Sequence, residues 1–150
     1  MKKDDLEFNR EVIGKEYHRA TYTVTRDLIL GFSRSVGETN PLFTDEEAAA
    51  RGPYGALIAP PALVASFLRA EEPEDLDLKF NGTLFMAGQW VEPLAPIRAG
   101  DLLTCTARVT DVYKKTGRSG EMVFVVVEHT FVNQRGETVA RAGRSSVRRR

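Results

Sequence analysis

Imidazole and thiol groups are sparse in this sequence of 150 residues: two histidines, His18 and His129, and one cysteine, Cys105. They are scattered along the chain without metal-ligand spacing, so no metal is expected. Cys105 lies in Leu102-Leu-Thr-Cys-Thr-Ala-Arg-Val109, which alternates like a strand and predicts a buried packing thiol rather than a nucleophile. His129 lies in Val125-Val-Val-Glu-His-Thr-Phe131, where Glu128 and His129 point to opposite faces of a strand. It reads as a supporting or solvent-facing histidine rather than a catalytic one. Asp45, with Glu46 and Glu47, offers a thioesterase-style carboxylate, although an acidic first helical turn explains the cluster more simply. No G-x-S-x-G, P-loop or dinucleotide fingerprint is present.

The elements that must position these groups follow from periodicity and turn chemistry. Gly14–Val24 alternates and predicts a strand. Thr25 can cap a helix over Arg26–Val36, with Leu28, Ile29, Phe32 and Val36 on one face and Gly37 as its stop. Next comes an ordered loop with two turn clusters, Thr39-Asn40-Pro41 and Gly52-Pro53-Tyr54-Gly55, and a short helical turn at Asp45–Ala50. Pro60 and Pro61 then open a run to Leu68 that is apolar except for Ser66, which predicts a buried central helix. The acidic segment Arg69–Asp77 reads as a surface loop. Strands are expected at Leu78–Val91 (with Trp90 in the core), Leu102–Tyr113, Met122–Val132 and Thr138–Val147. Lys114–Gly120 and Asn133–Gly136 connect the last three.

Helices grouped before four strands in a meander argue an α+β domain, a single hot-dog fold in which a curved antiparallel sheet wraps a central helix. Such a sheet has an open edge, which calls for a second sheet beside it. Length and composition fit one soluble domain over 1–150, with 1–10 and 148–150 as flexible ends. The basic run Arg141–Arg150 reads as a solvated terminus. Acidic and basic residues both number 21, giving no general attraction to nucleic acid or membrane. A lone cysteine permits no internal disulfide and fits a reducing compartment. The start MKKDDLEFNR lacks the apolar core of a signal peptide, and no run is long enough to span a bilayer, so a cytoplasmic location is expected.

Several separated motifs carry a resemblance: Gly37-Glu-Thr-Asn-Pro-Leu-Phe43, Ile58-Ala-Pro-Pro-Ala62, Pro96-Ile-Arg-Ala-Gly-Asp101 and Asn133-Gln-Arg-Gly-Glu137. Together they resemble the MaoC-like hot-dog dehydratases and hydratases. The similarity is closer to the branch forming the N-terminal half of double hot-dog hydratases and the substrate-binding subunit of heterodimeric mycolic-acid dehydratases. Catalytic members hydrate an enoyl thioester, or dehydrate a 3-hydroxyacyl thioester, with an Asp and a His in a pattern like G-D-x-N-P-[IL]-H. A backbone N–H from a His-Gly pair at the start of the central helix polarises the thioester carbonyl.

This chain departs from that pattern at each place. Glu38 stands at the Asp position, Phe43 at the His position, and Pro60-Pro61 at the His-Gly pair. Glu38 keeps a carboxylate, but Phe43 cannot transfer a proton. Pro61 has no N–H, and losing one oxyanion donor costs about 2.7–4 kcal/mol of transition-state stabilisation. The resemblance implies an acyl-thioester site bordered by Asn40, Phe43, Tyr54, Ala59, Pro60 and Pro61. It further implies that Asn81, Gly88 and Gln89 flank the acyl or pantetheine tunnel. Lys114, Lys115 and Arg118 offer charges to coenzyme A phosphates or an acidic carrier protein, or else form a solvated loop.

Three functions follow as expectations. The first is a subunit of an enoyl-thioester hydratase or 3-hydroxyacyl-thioester dehydratase, binding the acyl chain while a partner hot-dog subunit supplies the Asp/His dyad. The second is a self-sufficient homodimeric hydratase or thioesterase using Glu38 or Asp45. The third is a non-enzymatic acyl-CoA binding module. In all three the ligand is an acyl-CoA or acyl-carrier thioester, with no further cofactor and no nucleic-acid or membrane partner.

Overall fold

The computed structural model describes residues 5–150. Five strands, β1 (Glu16–Thr23), β2 (Thr83–Pro93), β3 (Leu102–Gly117), β4 (Gly120–Val132) and β5 (Thr138–Arg149), form one sheet in the order β1-β3-β4-β5-β2. All neighbours are antiparallel. The expected α+β hot-dog class holds, but the four-strand meander does not. Only β3-β4-β5 form one; β2 pairs with β5 from Thr83↔Arg149 to Pro93↔Ala140 and forms an open edge.

The first helix, α1 (Arg26–Ser35), begins as expected, with Thr25 Oγ1 accepting the Leu28 N–H at 3.1 Å. It stops at Gly37, whose φ of 70° suits a residue without Cβ. Two short turns follow, α2 (Pro41–Thr44) and α3 (Glu46–Ala50). The central helix differs from expectation: it is a seven-residue 3-10 helix, Pro61–Phe67, with Leu63 and Val64 buried. Pro61, Ala62 and Ser66 face outward rather than inward. Its bonds close over three residues, Leu63 N–H to Pro60 O and Leu68 N–H to Ala65 O, and so wind more tightly than an α-helix.

The inner face of the sheet is covered in two halves. Around the 3-10 helix, Leu63, Val64 and Leu68 pack with Leu103, Cys105 and Phe131, and Tyr22 stacks on Phe67 at 4.2 Å between ring centroids. Cys105 is buried, as expected. The other half is closed in part by segments expected to be loose, those of Leu6 and Leu76. Leu6, Val12, Leu76 and Phe80 pack on Val109, Val123 and Val125. The acidic connector is thus no plain surface loop. Leu76 anchors it, and Glu72 is pinned by Arg148 at 2.7 Å and by Ser146 Oγ at 2.9 Å. The basic C-terminal run is strand to Arg149; at the other end Leu6 is buried while Asp5, Glu7 and Arg10 are exposed, and residues 1–4 lie outside the described residues.

Three further expectations change. Trp90 is 43% exposed rather than core, because β2 is an edge strand and its indole lies across Gly143 on the outer face. His129 is fully buried, because it follows Val123, Val125 and Val127 on the inward phase of β4. Lys114–Gly120 is not a loop: β3 and β4 run to a tight hairpin, with Lys114 bound to Glu121 at 3.0 Å. No described helix is long and apolar enough to cross a membrane.

Candidate active site

The segment after α1 is tied at nearly every residue. Glu38 Oε1 accepts the N–H groups of Thr39 and Asn40, each at 3.0 Å. Asn40 Oδ1 then caps α2 by accepting the Leu42 N–H at 3.0 Å, with Pro41 at the first helical position where no N–H is needed. Buried Ser33 donates its hydroxyl to the Phe43 carbonyl at 3.0 Å, and the Ile58 N–H reaches Leu42 O at 3.1 Å. Asp45 Oδ1 caps α3 through the Ala48 N–H at 3.0 Å. The two carboxylates considered as bases therefore both accept local backbone N–H groups.

This bracing aims Phe43 and Leu42 into a cavity of about 310 Å³. Phe43, Tyr54, Ala59 and Pro61, named from the sequence, line it. Leu42, Ile58, the Pro93–Ile97 corner, Val139 and Ala140 complete the wall and were not foreseen. A signal for the corner existed: Pro93-Leu-Ala-Pro-Ile97 is an apolar run whose prolines exclude it from the sheet interior. The only ionisable side chain among the lining residues is the Tyr54 phenol.

The other expected residues stand elsewhere. Pro60 is buried just before the 3-10 helix, and its carbonyl accepts the Leu63 N–H at 2.9 Å. Asn40 is occupied as a cap, and Glu38 and Asp45 are not among the lining residues. Asn81, Gly88 and Gln89 are exposed before or along β2, outside the cavity wall. Asn81 offers its carbonyl to Arg150 Nε at 3.1 Å, and a Cβ on Gly88 would meet Ser145 Oγ at 3.2 Å.

The cavity corner is latched to the β4–β5 turn. Asp101, 3% exposed, accepts the Arg98 N–H at 3.0 Å and Gln134 Nε2 at 2.9 Å, and pairs with Arg135 at 3.4 Å. Ala59 N–H reaches Ile97 O at 2.8 Å, so the motif before the 3-10 helix is hydrogen-bonded to the same corner. Two of the motifs singled out in the sequence, around Asp101 and Asn133, are thus one structural brace behind the cavity.

A second feature crosses the sheet. His18, Ala107 and His129 are directly opposed on β1, β3 and β4. Neither ring nitrogen of His129 has a partner, nor has His18 Nε2. Burial, with the nearby His18 and Arg144 charges, lowers the His129 pKa to about 4, so the ring is neutral near pH 7. Burial likewise pushes the Cys105 thiol up to about 12.

The family described as FAS1-like, dehydratase domain region, matches residues 11–142. The chain belongs to that family. Among relatives of this dehydratase-region chain is a UPF0336 protein of Parafrankia sp. (strain EAN1pec), 31% identical over 153 residues and covering 96% of each chain. A UPF0336 protein of Streptomyces coelicolor is 32% identical over 117 residues, 75% of this chain and 78% of its own.

Solved structures agree with the hot-dog, MaoC-like assignment. The MaoC-like dehydratase from Rhodospirillum rubrum is 26% identical, with a TM-score of 0.66 over 96% of this chain and 98% of that one. The C-terminally truncated HadBC (3R-hydroxyacyl-ACP dehydratase) complex from Mycobacterium tuberculosis is 25% identical, with a TM-score of 0.70 over 91% of this chain and 96% of that one.

Proposed function

We propose that this chain is the acyl-binding subunit of an enoyl-thioester hydratase or 3-hydroxyacyl-thioester dehydratase, completed by a partner hot-dog subunit that supplies the Asp/His dyad. The observation that carries this reading is the apolar wall. The cavity holds Phe43 where catalytic relatives are expected to hold their histidine, and it offers no carboxylate, imidazole or amine to a substrate. Pro61 contributes no N–H to a thioester carbonyl. Such a wall can bury alkyl surface at roughly 25 cal/mol per Å² and exclude water, and apart from the Tyr54 phenol it holds no side chain able to exchange a proton with water.

Membership of a dehydratase-region family and likeness to the HadBC dehydratase complex support the assignment to this chemistry in a two-subunit setting. The open edge of β2 supports it independently. Leu84, Met86 and Trp90 are 55%, 58% and 43% exposed along an edge strand. An edge with unpaired backbone groups and apolar side chains is suited to another sheet. In this reading the chain holds the acyl tail and fixes its register, and the reacting carbon atoms lie against the partner.

The experiment is Phe43→Asp, assayed in the complex of this chain with its catalytic partner. A charge in an apolar wall should raise KM for long-chain enoyl thioesters at least tenfold while leaving short crotonyl thioester turnover nearly intact. Equal effects on both chain lengths would contradict a role in holding the acyl tail.

A further inference from the structure

On the outer face of the sheet, β3 and β5 carry polar residues such as Asp111, Lys115, Ser145 and Arg149, but β4 does not read like a strand in water. A sheet solvated on one side alternates apolar and polar residues, whereas strands covered on both sides read as continuous apolar runs. Strand β4 runs Met122-Val-Phe-Val-Val-Val127 without a polar residue. Val123, Val125 and Val127 point to the core, so Met122, Phe124 and Val126 point outward.

Cross-strand register orders that face into rows. One row is Lys115, Met122, Arg149 and Thr83, on β3, β4, β5 and β2. The next is Tyr113, Phe124, Val147 and Phe85, with Tyr113 stacked on Phe124 at 4.9 Å between centroids. The third is Asp111, Val126, Ser145 and Gly88. The first and third rows lie on either side of the aromatic row, each two paired positions away. Lys115 and Arg149 form no ion pair, nor does Asp111, among the described residues; Lys115 only lies over the Tyr113 and Phe124 rings at 5.4 and 5.5 Å.

We propose that this outer face docks a second copy of the same chain back to back, about a two-fold axis running along the aromatic row. Such an axis reverses strand direction and keeps the lateral order of strands, so it lays the first row of one copy on the third row of the other. Lys115 then meets the second copy's Asp111, and Met122 meets the second copy's Val126. Arg149 meets the second copy's Ser145, and Thr83 meets the second copy's Gly88. At Lys115 and Asp111 base faces acid, at Met122 and Val126 apolar faces apolar, Arg149 faces a hydroxyl, and the aromatic row stacks on itself. This is the self-complementarity an isologous contact requires, at the roughly 10 Å spacing of packed sheets. The contact uses the sheet face and leaves the β2 edge free for the partner subunit.

The test is sedimentation velocity on the full chain across a concentration series, for the wild type, Asp111→Lys, Lys115→Asp and the double exchange. Both positions are exposed, and circular dichroism checks that each variant is folded. Each single reversal should weaken self-association about tenfold by setting like charges face to face, and the double exchange should restore it to within about threefold. Wild-type self-association that neither reversal changes would overturn the proposal, as would single-variant losses that the double exchange fails to rescue. A wild type that stays monomeric across the series, or binds vesicles of anionic phospholipid through this face instead, would overturn it equally.

Discussion

At the scale of single residues, the two candidate carboxylates accept local backbone N–H groups, and the His129 ring is buried without a hydrogen-bond partner. Glu38 and Asp45 spend their oxygens on the N–H groups of Thr39, Asn40 and Ala48. Glu38→Gln and Asp45→Asn keep an acceptor at each place, so both should leave activity of the complex within about twofold. Asp45→Ala removes the cap and should cost about 1 kcal/mol in urea unfolding. A large loss of turnover in the isosteric variants, without loss of stability, would restore these groups as bases.

His129 makes a prediction with a definite sign. Its folded-state pKa is lowered to about 4 from the ordinary 6.5. Between those values the unfolded chain binds more protons than the folded one, so stability is full above about pH 6.5 and falls as pH drops toward 4. From about pH 7.5 to about pH 5 the wild type should lose about 2 kcal/mol, and His129→Leu should lose much less of that dependence. Identical pH profiles for the two proteins would contradict a neutral, buried ring. The burial was readable, since His129 continues the inward phase of Val123, Val125 and Val127; the Glu128 neighbour and a polar side chain obscured it.

At the scale of elements, what was legible was what local chemistry decides. Thr25, Gly37, Asp45 and the Asn133–Gly136 turn mark boundaries through side-chain caps and positive φ, and these boundaries held to within a residue or two. Partner choice was not legible. Nothing in Thr83–Pro93 states that it pairs with β5 rather than β3, because an alternating strand fits either neighbour. The central helix departs from expectation because apolar content does not ensure burial: a seven-residue piece between two prolines and an extended segment buries only one side. Of the candidate site, Phe43, Tyr54, Ala59 and Pro61 were found from motif positions, whereas Val139 and Ala140 reach the cavity only through the β2–β5 pairing.

That pairing has its own test. A Cβ at Gly143 would fall 2.0 Å from the Trp90 indole nitrogen, so the ring occupies the space a side chain needs. Gly143→Val should eject the indole, lower stability by about 1–3 kcal/mol and shift Trp90 fluorescence to the red. As the chain holds one tryptophan, the emission reports this contact alone. Unchanged emission would mean that the ring does not lie there.

At the scale of the whole molecule, a hot-dog frame of a dehydratase-region family encloses an apolar cavity, and in the proposed reading the chemistry lies in a second subunit. Besides the β1 edge, the sheet presents the β2 edge, with exposed Leu84 and Met86, and the outer face with its matched rows. The β2 edge suits a different hot-dog subunit and the outer face a copy of this chain, which together give a pair of heterodimers. Enoyl-thioester hydration measured on this chain alone, on a catalytic hot-dog partner alone, and on the two mixed tests the central claim most directly. The account predicts no enzyme-like turnover from this chain, weak long-chain turnover from the partner, and a gain of at least about tenfold on mixing. Full turnover by this chain alone, or no complex and no gain on mixing, would contradict it.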